Sequence, residues 1–407
     1  MNLKSKLPPK FQKYASLGII PKILLLPFAI STIATFYIIR PFFLIQVHKV
    51  KDWRIGHLAA NTELTRLQTI ARNVNSRRKL ITIYYFGSRS PSNGFLSKFW
   101  QRELPSVHGH WGWLLNEISA RVDGMNSSDE STIWDPKGLF QMRRLPNFFT
   151  KKEELLGQQF LKLNLDNEKF ICLNVRDHEY MARRSSRDRS YHDYRDSDIK
   201  TYVVAAEALA ELGYTVFRMG AIVKEPLVSK HPRVIDYATN GMRTEFLDVY
   251  LGARCTFTIS TGSGWDSVPM IFRRPMIWVN HLPIFENAVH LLMINYPKIL
   301  EDKESGILLS LTELIERNVA RTSDTQGYKD FGVIIRDLSS EELVEAVTEM
   351  VARVDGTFVE TSEQKEMQAK LRHILSTHPK LQPSPNFYPI RAQFASCFLS
   401  RYPNFLD

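Results

Sequence analysis

The stretch Cys255–Asp266, with the sequence CTFTISTGSGWD, decides the fold. Its first half is β-branched and aromatic, which predicts a short buried strand. Its second half turns to small residues, with two hydroxyl side chains and two glycines between Thr261 and Gly264. A short helix is predicted to follow, and Met276–Asn280 is predicted to be the next strand. The order strand, glycine loop, helix, strand is typical of an α/β domain.

The glycine loop has two interpretations. Backbone N–H groups in such a loop can approach a phosphate group at the positive end of the following helix. An ordinary tight turn between a strand and a helix has the same composition. Under the phosphate interpretation the candidate binding residues are Ser260, Thr261, Gly262, Ser263 and Gly264.

The charge balance favours an anionic partner. The chain has 407 residues, which predicts more than one domain, and it has 53 Lys and Arg against 43 Asp and Glu. A phosphorylated substrate or an acidic lipid surface fits this excess of positive charge. No RNP motif, zinc-finger spacing or long basic helix occurs, so nucleic acid is not expected as a partner.

The three cysteines, Cys172, Cys255 and Cys397, form no CxxC pair. Two of them lie in apolar runs, which predicts reduced core thiols in a reducing compartment. Neither an HExxH motif nor paired CxxC motifs occur, so no metal site is expected.

The N-terminal region has membrane-associating character. Residues 1–22 carry five lysines and no acidic residue, and the apolar run Ile23–Ile39 follows, with Pro27 inside it. A membrane-spanning helix needs about 20 apolar residues. A shorter run interrupted by proline also fits a signal peptide, a helix lying in the membrane interface or a buried hairpin. We expect residues 1–43 to associate with a membrane surface.

Alternating strand and helix patterns predict two α/β domains. The first domain is placed at residues 44–150, and the helix Lys151–Leu163 opens the second, which runs to residue 385. A C-terminal helical segment, 386–407, is expected to pack back on the first domain. Each domain is expected to have a parallel sheet with helices on both faces.

Polar residues follow three predicted strands of the second domain. Arg176 and Asp177 follow one strand, Arg218 and Gly220 the next, and the glycine loop the third. Because ligands bind beyond the carboxyl ends of strands in open α/β sheets, these residues are expected to converge. The guanidinium groups of Arg176 and Arg218 match the geometry of diphosphate oxygens. The alternative is that both arginines form interdomain salt bridges with nearby acidic residues.

His57 and Asp177 are the candidate catalytic residues. His57 lies where the first strand gives way to a helix, and its usual pKa suits a general base on a hydroxyl group. A helix-capping or core histidine is the alternative. His178, Glu179 and Glu286 are rival bases.

Six segments together resemble a family of bacterial glycosyltransferases found in surface-polysaccharide loci. The segments are Arg54–Ala59, Asn174–Asp177, Tyr191–Ile199, Gly213–Gly220, Asp236–Ala238 and Ser260–Gly264, and the resemblance covers roughly residues 44–400. It implies a GT-B arrangement, in which two Rossmann-like domains face a cleft. Arg176 is also similar to the arginine that holds the donor diphosphate in fucosyltransferase-like enzymes, whereas Asn174 stands where those enzymes often have histidine.

The resemblance implies sugar transfer from a nucleotide-diphosphate donor, held by the second domain, to a glycan or lipid-linked acceptor at the first. The transferred sugar is expected to be a hexose or deoxyhexose. The protein is expected to lie at the cytoplasmic face of the inner membrane. Arginines and a helix N-terminus neutralise the leaving group in GT-B enzymes, so neither a metal nor a cofactor is expected. The alternatives are a non-catalytic GT-B scaffold of polysaccharide assembly and a sugar epimerase.

Overall fold

The computed structural model describes residues 19–125, 135, 138–141, 148–165, 169–184, 190–284, 293–381 and 393–407, with only the main chain at 19, 20, 181 and 184. The chain divides into two compact units, Met1–Ile133 and Trp134–Asp407, here called unit 1 and unit 2. Residues 135, 138–141 and 148–150, assigned from the sequence to the first domain, fall within unit 2. Phe149 shows why, since it packs on Tyr250 and Phe272 of that unit.

Unit 1 is a small three-stranded parallel sheet with helices. Its strands are β1 (Phe43–Val50), β2 (Lys79–Phe86) and β3 (Ser106–His108), and its helices are α1 (Ile19–Ile38), α2 (Thr62–Val74), α3 (Gly94–Glu103) and α4 (Gly109–Ser119). The strand order is β1-β2-β3, and all pairs are parallel. A π-helical turn, His57–Asn61, leads into α2.

Side chains of unit 1 fix where its elements begin and end. The Asn73 amide near the end of α2 donates to Leu80 O at 2.8 Å and accepts from Leu80 N at 2.7 Å. Asn93 begins α3 because its side chain accepts the Leu96 N–H at 2.8 Å. These contacts hold α2 and α3 at defined positions beside the sheet.

Unit 2 contains a seven-stranded sheet and a separate antiparallel pair, β10-β11. The strands of this unit are β4 (Phe170–Asn174), β5 (Thr215–Arg218), β6 (Val234–Ile235), β7 (Thr258–Ser260), β8 (Met276–His281), β9 (Met293–Pro297), β10 (Ile299–Asp302), β11 (Val333–Arg336) and β12 (Gln393–Phe394). Its helices are α5 (Lys151–Asn164), α6 (Glu179–Arg184), α7 (Val203–Glu211), α8 (Glu245–Arg254), α9 (Ser267–Ile271), α10 (Leu311–Glu316), α11 (Thr325–Asp330), α12 (Ser340–Val354), α13 (Ser362–Thr377) and α14 (Ser396–Arg401). Single 3-10 turns lie between several of them.

The order of strands in the large sheet is that of a Rossmann fold. It is β12-β9-β8-β7-β4-β5-β6, and every pair is parallel. The chain builds outwards from β4 to β6, returns to the other side of β4 with β7, and then builds outwards again. Strands β4 and β8 are buried along their whole length, as in a parallel sheet covered on both faces. The point of reversal lies between β4 and β7.

The predicted fold class is confirmed: the chain is α/β, with parallel sheets and one N-terminal apolar helix. That helix has a stretch, Pro21–Ile38, with a mean hydropathy of 1.6, long and apolar enough to cross a membrane. The predicted helix Ser340–Val354 is α12, and Ser339 caps it by accepting the Glu342 N–H at 3.2 Å. Glu342 completes the capping box by accepting the Ser339 N–H.

The C-terminal segment belongs to the core of unit 2. Its described part, residues 393–407, buries Phe394, Phe398 and Phe405 among the side chains of that core. Its aromatic residues contact one another and Tyr296 of β9. The expectation from the sequence that this segment packs back on the first domain stays a prediction.

Gly157 sets how closely α5 approaches α8. A Cβ atom at this position would lie 2.1 Å from the Tyr250 ring, which is 1% exposed. Although alanine is the better helix former by about 1 kcal/mol, we expect Gly157→Ala to destabilise the protein by about 1–3 kcal/mol, because overpacking outweighs propensity. Denaturant unfolding measures this. Gln158→Ala, at the next and exposed position, is the control and should change stability little. If Gly157→Ala left the free energy of unfolding unchanged, the close packing of α5 on Tyr250 would be contradicted.

Candidate functional site

The candidate site lies at the point of reversal between β4 and β7. Leu173 pairs with Ile259 and Asn174 with Ser260, so the two strands end side by side. Ligands of open α/β sheets bind at this place, because the connections leave in opposite directions and open a crevice. Asn174 joins the two ends, since its amide donates to Ser263 Oγ at 2.6 Å.

A buried carboxylate holds the glycine loop in shape. Asp266 accepts hydrogen bonds from Ser260 Oγ at 2.6 Å, from Ser263 N at 2.8 Å and from the Asn174 amide at 3.1 Å. It is 2% exposed, and this burial raises its pKa while the three donors oppose the rise. The hydroxyl groups of the loop therefore serve an internal network.

Gly262 is the tightest point of the loop. Its φ is +81°, and a Cβ atom there would lie 2.2 Å from His281 Nδ1. His281 is 1% exposed and its ring lies 4.1 Å from the Trp278 ring, so the histidine has no room to move away. Only glycine fits this position.

Arg176 lies at the edge of the site, beside the loop. Its backbone N–H donates to Thr261 Oγ1 at 2.9 Å, which fixes the start of its side chain independently of any ligand. Its guanidinium Nε lies 3.7 Å from Asp196 Oδ1, and its side chain is 12% exposed. His178 Nδ1 lies 3.7 Å from the other carboxylate oxygen of Asp196.

Arg195 is a second arginine at the same place. Its Nη2 donates to Gly262 O at 2.6 Å. Its Nε is buried and has no hydrogen-bond partner among the described residues. Burial and then the charge of Arg195 lower the pKa of Arg176, which places the two cations within electrostatic reach of each other. Two neighbouring cations at a strand edge attract an anion such as a diphosphate.

The segment that carries Arg195 is fixed at several points. Tyr194 is buried against Tyr328, with 5.3 Å between the ring centroids, and its N–H donates to Thr325 Oγ1 at 3.2 Å. The Lys298 ammonium donates to Asp196 O at 2.6 Å and pairs with Asp337 at 2.7 Å. Arg195 is therefore held in place before any ligand arrives.

Arg218, predicted to bind the donor, is enclosed by the protein, and its role in binding stays a prediction. It is fully buried, and its Nη1 lies 3.2 Å from Asp236 Oδ1. Asp236 in turn accepts the Leu227 N–H at 3.0 Å. Arg218 thus ties β5 to the following loop and has no exposed surface for a ligand. Gly220 lies beside it with a φ of +154°, where a Cβ atom would meet Val223 at 2.4 Å.

The loop residues differ in how much surface they offer. Ser260 and Thr261 have no exposed surface and Gly262 is buried, whereas Ser263 is half-buried and Gly264 is exposed. Ser260 and Thr261 therefore position the loop and Arg176, and Ser263 and Gly264 are the loop residues with exposed surface. Donor binding by the five loop residues stays a prediction.

The predicted catalytic residues lie in different units. Asp177 is in unit 2, where its two carboxylate oxygens accept the N–H groups of Glu179 and Lys224, both at 2.9 Å. His57 is in unit 1, at the first position of the π-helical turn. Their catalytic roles stay predictions. The rival base Glu286 lies outside the described residues.

Comparisons with known proteins give no matching family model and no match among curated proteins. Among solved structures the chain is similar to E. coli ADP-heptose LPS heptosyltransferase II, with 12% identity, a TM-score of 0.38, and coverage of 76% of this chain and 100% of the other. It is also similar to a glycosyl transferase family 9 protein from Veillonella parvula DSM 2008, with 9% identity, a TM-score of 0.42, and coverage of 77% and 98%. At these values the likeness carries no functional argument, and the chemistry of this chain rests on its own residues.

Proposed function

We propose that the protein is a glycosyltransferase that uses a nucleotide-diphosphate sugar. The observation that supports this most is the pair Arg176 and Arg195 beside a rigid glycine loop, at the point where a Rossmann-ordered sheet reverses. The resemblance of six segments of the sequence to glycosyltransferases of surface-polysaccharide loci points to the same activity. A hexose or deoxyhexose would be transferred to a glycan or lipid-linked acceptor.

The arrangement suits departure of a nucleoside diphosphate. During transfer the bond between the sugar anomeric carbon and the diphosphate oxygen breaks, and a bond to the acceptor hydroxyl oxygen forms. Negative charge grows on the departing oxygen, and two fixed guanidinium groups stabilise it without reorganisation. The acceptor proton passes to a base, for which His57 and Asp177 remain our candidates. We propose that these groups replace a metal ion.

We further propose that residues 1–43 attach the protein to the cytoplasmic face of the inner membrane. A lipid-linked acceptor would be reached from that position. The support is the apolar helix α1 and the lysines that precede it in the sequence.

A thermal-shift screen of nucleoside diphosphates and their sugars tests the activity. A ligand at 100 times its dissociation constant stabilises a protein by about 2.7 kcal/mol. We expect one nucleoside diphosphate to raise the melting temperature and its sugar conjugates to be consumed when an acceptor extract is added. Binding without transfer to any acceptor would favour a non-catalytic scaffold, and conversion of the donor without acceptor would favour an epimerase. No stabilisation by any nucleotide would contradict the proposal.

Asp196 gives the binding a predicted pH dependence. Burial raises its pKa to about 6, and the charged groups that face it are Arg176, Asp193, His178 and Asp177. A bound diphosphate takes Arg176 as its partner and repels the Asp196 carboxylate, so the pKa of Asp196 is higher in the complex than in the free protein. Affinity is then greatest below about pH 6 and falls as the pH rises through the pKa of the complex.

Calorimetric titration across this range measures the effect. A rise of about one pKa unit on binding corresponds to an affinity change of about tenfold. Asp196→Asn is the control, because the ratio of wild-type to variant affinity cancels the ligand's own titration. A ratio that does not change with pH would show that Asp196 does not face the ligand.

A further inference from the structure

Helix α1 has one face packed on unit 1. Ala29 is fully buried and Ile33 is 4% exposed, and both lie in a cluster with Val47 of β1 and Leu114 of α4. Leu25 and Phe36 pack against the same cluster, which completes a stripe along the helix. The spacing of the stripe is that of one helix face. Helix α1 is therefore part of the fold of unit 1.

The remaining circumference of α1 is apolar and exposed. Leu24, Phe28 and Ile38 are 68%, 66% and 73% exposed, and the exposed Phe42 extends the surface beyond the helix. Between Lys22 and Arg40 no charged residue interrupts it. Surfaces of this size and continuity mark interaction sites.

Two hydroxyl groups on the helix, those of Thr32 and Thr35, form hydrogen bonds within it. Thr32 Oγ1 donates to Phe28 O and Thr35 Oγ1 donates to Ser31 O, both at 2.9 Å. Such bonds remove the need for water, and they are the means by which threonine is accommodated in apolar surroundings. These two threonines therefore suit an apolar environment as well as the apolar side chains around them do.

The packing argues against a helix that crosses the membrane. With 20 residues α1 is about 30 Å long, enough to span a bilayer. It packs against α4 and β1, however, and these carry His110, Glu117 and Lys49. Crossing the bilayer would draw such side chains into hydrocarbon, which is costly. A helix lying flat keeps its packed face on the protein and its apolar face on lipid.

We propose that α1 lies in the plane of a bilayer and docks unit 1 on anionic lipid through the exposed stripe Leu24, Phe28 and Ile38. The four lysines that precede Lys22 in the sequence suit acidic headgroups. The Lys22 ammonium itself lies 3.6 Å from the centroid of the Trp113 ring, on the packed side of the helix. This rests on the membrane attachment proposed above and specifies its mode and its surface.

Vesicle flotation of the full chain tests the surface. The wild-type protein is expected to float with phosphatidylcholine vesicles that contain phosphatidylglycerol, and less with phosphatidylcholine alone. The triple variant Leu24→Ser/Phe28→Ser/Ile38→Ser is expected to lose about 100-fold in partitioning, because three large apolar side chains leave the bilayer. These positions are exposed, so melting of the soluble protein should not change.

A second triple variant is the matched control. Leu163, Val228 and Val359 are 85%, 74% and 84% exposed, and all three lie in unit 2. Leu163→Ser/Val228→Ser/Val359→Ser removes similar exposed apolar surface elsewhere and should float as the wild type does. Equal flotation of both triple variants would overturn the proposed surface. Absence of flotation by the wild type would overturn the attachment itself and leave the proposed sugar transfer untouched.

Protease protection distinguishes a flat helix from a spanning one. In vesicles carrying the protein on their outer surface, a tag at the N-terminus and the two units are expected to be digested together by external protease. Protection of the tag while the units are digested would show that α1 crosses the bilayer, and would overturn the flat orientation.

Discussion

Replacing Arg176 with alanine is expected to weaken nucleoside-diphosphate binding by about 100-fold. Hydrogen bonds to charged groups contribute about 1.5–3 kcal/mol each, and a loss of about 3 kcal/mol corresponds to that factor. The backbone of residue 176 stays fixed, because its N–H contact with Thr261 Oγ1 does not involve the side chain. Titration calorimetry with the nucleotide found by the screen gives the two dissociation constants.

A second variant separates binding from folding. Removing Arg176 leaves the half-buried Asp196 carboxylate without its main cationic partner, which costs stability. Arg176→Ala/Asp196→Asn also removes that carboxylate, so it is expected to melt as the wild type does and still to bind weakly. Arg401, which pairs with Glu345 in the same unit, is the matched control; Arg401→Ala should leave affinity unchanged. A folded double variant with wild-type affinity would refute the site.

Gly262→Ala is expected to destabilise the protein by about 2–5 kcal/mol. The left-handed conformation costs a non-glycine residue about 1–2 kcal/mol, and forcing a methyl group against the buried His281 ring adds about 1–3 kcal/mol. Urea unfolding gives the change in the free energy of unfolding. Because Gly262 O holds Arg195, any protein that still folds should also bind the nucleotide less tightly.

Gly306→Ala isolates the steric part of that effect. Gly306 has a φ of +66°, but a Cβ atom there meets nothing within 4 Å. It therefore carries only the conformational cost, about 1–2 kcal/mol, and should leave nucleotide affinity unchanged. If the two alanine variants were equally stable, the close approach of the loop to His281 would not exist.

The sequence alone predicted the strands and the loop that form the site. Apolar runs identified the strands around Asn174 and Ser260, and the glycine loop between a strand and a helix was visible from composition alone. The reversal of the sheet between β4 and β7 then brings those two strand ends together. Parallel strands share an edge, so convergence of strand-end residues follows from fold class.

The sequence did not predict which of these polar side chains are buried. Arg176 comes soon after β4 and Arg218 is the last residue of β5, yet Arg176 reaches the edge of the site and Arg218 is enclosed with Asp236. Arg195 was missed as a ligand because it lies in a short 3-10 segment far from any strand end in the sequence. Its one signal was its place in a segment that resembles the glycosyltransferase family. Likewise, Asp266 looked like a helix residue, although its carboxylate organises the loop.

Calorimetric titration of the wild-type full chain with UDP, GDP, ADP and CDP, with inorganic pyrophosphate as competitor, tests the central claim most directly. We expect one nucleoside diphosphate to bind with a stoichiometry of about one, as one site between the ends of β4 and β7 requires. Pyrophosphate should displace it, because Arg176 and Arg195 recognise the diphosphate. Binding by none of the four, or binding that pyrophosphate does not disturb, would contradict a diphosphate site between β4 and β7.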